Sequence, residues 1–218
     1  MKKTQYFILL TSFLVLFSSC FDITEELTLN KDGSGFFKVT IDALKVKAQL
    51  QSLSSFDSTG NLVQKQKFSL DSSFELIIKS YSTISGVSNL TLDTSVPYLY
   101  KISMNFSTIN ALNTALSLGK KNDSQNLYMW KKGELSRGTL PLFVNSMGDG
   151  NSYNDLENIK DFINGIKYTT ITNLPNKIKK NSNDNAIISS NKTIVTLGLD
   201  LYELLNKTSF LTNYIKYK

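Results

Sequence analysis

Few kinds of residue in this chain could do chemistry. Its 218 residues include no histidine and a single cysteine, Cys20. Without imidazole there is no ordinary general base near neutral pH, no usual zinc ligand, and no Ser-His or Cys-His pair. A zinc site would have to be built from carboxylates alone, which is uncommon. Two carboxylates at the right separation suffice for glycosidase chemistry, so acidic pairs are the next place to look. Glu25 and Glu26 are adjacent and on a strand would point to opposite sides. Asp155, Glu157 and Asp161 fall at a helix start, where acids stabilise the helix dipole in any case. Serine and lysine are plentiful, which leaves a Ser-Lys dyad open on composition. Asp149-Gly150-Asn151-Ser152-Tyr153 begins like a calcium loop. The glycine required at its sixth position is Asn154, however, and the acid required at its twelfth is Lys160. No Gly-x-x-x-x-Gly-Lys-Ser/Thr phosphate loop occurs, and Gly33-Ser34-Gly35 lacks the outer glycines of a nucleophile elbow. The sequence therefore points away from an enzyme and calls for no cofactor.

The thiol remains. Lys2 and Lys3 precede an apolar run, Tyr6 to Phe17, broken only by Thr11 and Ser12 and followed by Ser18, Ser19 and Cys20. As a helix this run would span about 18 Å, against about 30 Å for a bilayer core. That is the length of a cleaved export signal. The segment Leu16-Phe17-Ser18-Ser19-Cys20 resembles the lipobox of bacterial lipoproteins, with Phe17 where leucine is commonest. The resemblance implies a lipid with palmitate-type acyl chains on the Cys20 thiol, and cleavage between Ser19 and Cys20. Residues 1–19 are then a signal peptide, 20–26 the lipidated cysteine with a short tether, and 27–218 one domain. Phe21 follows the cysteine where aspartate would, in some bacteria, favour inner-membrane retention, so the outer membrane is preferred.

Apolar residues make up 41% of the chain and charged residues 19%, an ordinary globular balance. No disulfide is available, so packing alone must hold the exported domain. Beyond Ser19 the chain carries 22 basic and 18 acidic side chains, a formal charge of +4. The excess is spread over Lys120-Lys121, Lys131-Lys132 and the lysines from Lys177 to Lys180. Nucleic acid is not an expected partner of an exported protein. The expected partners are a membrane, reached through the lipid, and an envelope protein or lipid ligand.

The elements follow from periodicity. Leu27 and Leu29 alternate with polar residues, as do Phe37, Val39 and Ile41, with a glycine-containing turn at Lys31 to Gly35 between them. This predicts a hairpin. Asp42 caps a helix with Ala43, Val46, Leu50 and Leu53 on one face, and Ser72 with Glu75 forms a capping box for another. Tyr98 to Phe106 reads as a strand paired with Val87 to Leu92. Thr108 caps a helix through Leu116, and Leu127 to Lys131 pairs with Glu134 to Leu140. Asn154 caps one more helix. Ile166 to Thr172, Lys177 to Lys180, Ala186 to Ser189, Thr193 to Leu199 and Phe210 to Tyr217 read as strands, with a bend at Pro175 and a cap at Asp200. The expected class is α+β: a largely antiparallel β-sheet with amphipathic helices packed on one face. Tyr98, Tyr100 and Phe106, with Tyr128 and Trp130, form an aromatic stripe. It is read either as a core face or as an apolar groove for a hydrophobic ligand.

Two stretches carry a family resemblance. Ile23-Thr24-Glu25-Glu26-Leu27-Thr28-Leu29-Asn30-Lys31-Asp32-Gly33-Ser34-Gly35 resembles the opening hairpin of Bacteroidetes-type envelope lipoproteins. Leu174-Pro175-Asn176-Lys177-Ile178, followed by Ser190-Asn191-Lys192-Thr193-Ile194-Val195, is similar to the closing part of LppM-like lipoprotein domains. Those domains often carry tryptophan where this chain has Leu197. The resemblance implies an α+β envelope domain with a lipid-binding role as one expectation. Functional classes in view are a lipid-anchored interaction module, a carrier with a closed apolar cavity, and a carboxylate hydrolase.

Overall fold

The computed structural model describes residues 21–45, 83–117, 126–138, 165–206 and 208–217. Outside them lie the signal segment, Ser19, Cys20, the calcium-like loop, Asp155, Glu157 and Asp161. So do the helices expected at Ser72 and Asn154, and the Asp42 helix beyond residue 45. Asp42 does cap a first turn there: its Oδ1 accepts from the Leu44 N–H at 3.0 Å.

Eleven strands and two short α-helices are described. The strands are β1 (Asp22–Leu29), β2 (Gly35–Asp42), β3 (Val87–Asp93), β4 (Leu99–Phe106), β5 (Tyr128–Lys131), β6 (Glu134–Arg137), β7 (Lys167–Asn173), β8 (Ile178–Asn181), β9 (Ile187–Ile188), β10 (Ile194–Asp200) and β11 (Asn213–Tyr217). Helix α1 is Ile109–Leu116, α2 is Leu201–Asn206, and a 3-10 turn spans Thr208–Leu211. They form two sheets where one was expected. The larger has the order β3-β4-β2-β1-β7-β10-β9, the smaller β5-β6-β11-β8. All pairings are antiparallel except β1 with β7.

Register explains the core. Met104, Phe37, Leu27, Thr172 and Val195 lie directly across from one another through five strands, and Ile102, Val39, Glu25, Thr170 and Leu197 form the next row. Opposed residues share a face, so each row faces inward or outward as a unit. Here both rows face the smaller sheet, whose Tyr128, Leu135, Ile215 and Tyr217 are equally buried. Helix α1 fills the space beside them: Thr108 caps it by accepting from the Ala111 N–H at 3.1 Å, and Leu112 and Ala115 are fully buried. The two described helices are short, and the other helices that the sequence suggested lie outside the described residues. Two sheets facing each other bury the inward residues of the described strands.

The first strand also begins earlier than expected. Residues 22–26, read as tether, belong to β1, which pairs with β2 on one side and β7 on the other. The turn between β1 and β2 needs Gly33 at φ 87°. Gly35 serves packing instead: a methyl there would stand 2.1 Å from the Thr28 carbonyl oxygen and 2.5 Å from Phe106.

Candidate functional site

Alternation along β1 puts Ile23, Glu25, Leu27 and Leu29 on the inner face, so an acid enters the core. Alternation on β6 sends Leu135 and Arg137 inward to meet it from the other sheet. Arg137 Nη2 donates to Glu25 Oε2 at 3.3 Å and to Oε1 at 3.4 Å, with both side chains 5% exposed. The Tyr128 hydroxyl donates to Oε1, and the Tyr168 hydroxyl donates to Oε2 at 2.5 Å. Arg137 Nε donates to Tyr128 Oη at 3.3 Å, while Nη1 is buried without a hydrogen-bond partner. Burial, reinforced by the Glu25 charge, raises both tyrosines well above their ordinary pKa, so both stay protonated donors. Burial alone would lower the Arg137 guanidinium, but Glu25 beside it outweighs that and raises it.

Chemically this cluster is a lock. Both carboxylate oxygens are occupied, three donors come from three strands, and the group ties β1 and β7 to β5 and β6. Glu26 points the other way, as adjacent strand residues must, and pairs with Lys38 at 2.5 Å. The two acids therefore do not converge. Among the described residues no group of three or more Asp, Glu or Cys is placed to hold a metal.

The aromatic residues named for a groove go to different places. Phe106 and Tyr100 are 2% and 9% exposed and belong to the packed interior. Tyr98 precedes β4 in a left-handed conformation, φ 70°, and so falls out of the stripe. Trp130 is half-buried over Gly33, where a Cβ would lie 2.6 Å from its ring, and its Nε1 donates to Tyr217 Oη at 2.8 Å.

A cavity of about 330 Å³ opens beside that contact, lined by Lys31, Lys132, Gly133, Asn176 and Tyr217. Each comes from a turn or strand end: Lys31 from β1–β2, Lys132 and Gly133 from β5–β6, Asn176 from β7–β8, and Tyr217 from the end of β11. The Tyr217 N–H donates to the Gly133 carbonyl at 2.8 Å and fixes two of these segments together. Lys177 follows Asn176, and the Lys192 carbonyl accepts from the Ile178 N–H at 2.7 Å, so two more lysines belong to this end.

Charge is divided along the strand axis. At the end where β1 starts, Asp22, Asp42, Asp93 and Asp200 terminate four strands of the large sheet. Lys45 and Lys101 are paired there, with Asp22 and Asp93. The Ser95 hydroxyl and N–H, with Lys101, hold the Asp93 carboxyl down at about 2. At the turn end, no ion pair among the described residues engages Lys31, Lys132, Lys177 or Lys192. Of the acids there, Glu134 pairs with Lys216 at 3.6 Å, and Asp32 accepts from the Ser34 hydroxyl and N–H, which lower it and keep it a carboxylate beside Lys31 in sequence.

Neither the lock nor the cleft was assembled from sequence. A signal for the first existed: Arg137 is the chain's only arginine, among 24 basic residues. Arginine is preferred over lysine for a buried carboxylate pair because its planar fork satisfies several acceptors at once. For the cleft only Lys131-Lys132 and Lys177 were visible, as parts of dispersed lysine patches.

No family model matches the chain, and no curated protein matches it. Among solved structures it is weakly similar to the NMR structure of the folded domain of Mycobacterium tuberculosis LppM. The TM-score is 0.38 at 9% identity, over 92% of each chain.

Proposed function

We propose that the chain is a lipid-anchored, non-enzymatic cell-envelope protein. In this reading it is a binding module that presents the turn end of its sheets to another envelope component, with the outer membrane as the preferred site. The observation that supports this is the cleft between Lys31, Lys132, Asn176 and Tyr217, built by four separate segments at one end. The eight residues of β1 separate that end from residue 22 by about 26 Å. A lipid on Cys20 would hold the aspartate-rich end toward the membrane and leave the cleft facing away from it.

Two measurements test the reading together. Cys20→Ala should remove the protein from the membrane fraction; unchanged fractionation would sink the anchor. A photo-crosslinking residue at position 132 should give a discrete adduct in intact cells, and one at position 167, at the opposite end, should not. Equal adducts from both positions would refute a dedicated binding end.

A further inference from the structure

We infer that the cleft and the lysines beside it bind a polyanion, a soluble or wall-borne chain carrying phosphate or carboxylate groups. This deepens the reading above and rests on the turn end being the binding end. Lys31 and Lys132 line the cleft, and Lys177 and Lys192 extend the same charge beyond it. Lys38, Lys45, Lys101 and Lys216 are each paired with a carboxylate, whereas no carboxylate of the described residues pairs with these four. Lys131, Lys167, Lys179 and Lys180 are likewise in no ion pair among the described residues, with Lys167 at the opposite end. Cations left unpaired together at one end create a positive potential that attracts and orients anionic partners.

The residue types set the class of ligand. Lysine offers a compact charge with rotatable donors and no fixed fork, so it accepts phosphate or carboxylate without demanding one geometry. The Asn176 amide, with no hydrogen bond to the described residues, adds a neutral donor and acceptor suited to hydroxyl or ester oxygens. Four lysines from separate turns suit a chain with repeated charges better than a single ion. Headgroups of the anchoring membrane are disfavoured because the cleft lies at the far end of β1 from residue 22.

The test uses the full chain in phosphatidylcholine nanodiscs and fluorescein-labelled short-chain polyphosphate, read by fluorescence anisotropy. Binding should weaken steeply with salt, and unlabelled polygalacturonate should compete. Lys132→Glu, and independently Lys31→Glu, should each weaken binding about tenfold, while Lys167→Glu at the other end should stay within about twofold. Circular dichroism of each variant controls for folding. No polyphosphate binding, or equal losses from Lys132→Glu and Lys167→Glu, would overturn the inference. Binding to phosphatidylglycerol vesicles without binding to polyphosphate would replace the polyanion with a lipid surface. A missing polyphosphate signal alongside a specific adduct at position 132 would reject the ligand class while leaving the binding end intact.

Discussion

Arg137→Met should show how much of the fold depends on one buried charge. The substitution keeps most of the stem and removes the guanidinium that neutralises Glu25. Because both side chains are 5% exposed, water cannot replace it without opening the sheets. Leaving one partner of such a pair uncompensated costs about 3–5 kcal/mol. Total stability of a domain is typically about 5–15 kcal/mol, so the variant should be near unfolding at moderate denaturant. The two tyrosine donors sharpen the test. In Glu25→Leu/Arg137→Met both charges are gone, but the Tyr128 and Tyr168 hydroxyls lose their acceptor, at about 1–3 kcal/mol for each unsatisfied group. Adding Tyr128→Phe and Tyr168→Phe should therefore recover most of the loss. Urea unfolding followed by tryptophan emission reads all three, since Trp130 is the chain's only tryptophan and lies between the sheets' turns. If Arg137→Met lost less than about 1 kcal/mol, or if the quadruple variant were no better than the double, the cluster would not be the lock described.

Other consequences are equally specific. Tyr128 and Tyr168 titrate higher in the folded chain than in the unfolded one, so their stabilisation is complete below about pH 10 and lost as pH rises beyond it. The alkaline slope should approach about 1.4 kcal/mol per pH unit for each tyrosine, and Tyr168→Phe should flatten it; a slope unchanged by that variant would contradict the shift. Asn113 holds β5 from α1, its Nδ2 donating to the Tyr128 carbonyl at 2.7 Å and its Oδ1 accepting from the Tyr128 N–H at 2.9 Å. Asn113→Leu should cost about 2–4 kcal/mol by thermal or chemical unfolding, because two buried backbone groups lose partners. Gly35→Ala should destabilise through contact with the Thr28 backbone, and proper folding at full stability would refute that packing.

Local signals carried much of the strand course. Alternation located the β1–β2 hairpin and β4, the turn at Lys132-Gly133 separated β5 from β6, and Pro175 marked the bend between β7 and β8. What alternation does not carry is partner choice. The β1–β7 pairing joins residues about 145 positions apart in parallel, and no turn chemistry announces it. The division into two sheets has the same origin, since β8 leaves its sequence neighbour β7 to pair with β11. Glu25 was missed because an acid beside another acid near a strand start reads as exposed. Arg137, 112 residues away, neutralises it, and Tyr128 and Tyr168, 103 and 143 residues away, complete its hydrogen bonds. The cleft draws one or two residues from each of four segments, and no sequence window contains it.

Lysine reactivity in place tests the binding end most directly. Cells are treated with a membrane-impermeant amine reagent after permeabilisation of the outer layer, and each site is quantified by mass spectrometry against the detergent-solubilised chain. Lys31 and Lys132 should be protected in the intact envelope and become reactive on solubilisation, with Lys167 unchanged between the two. Equal reactivity of Lys31 and Lys132 in both conditions would mean that nothing occupies the cleft, and would contradict its role as the site of binding.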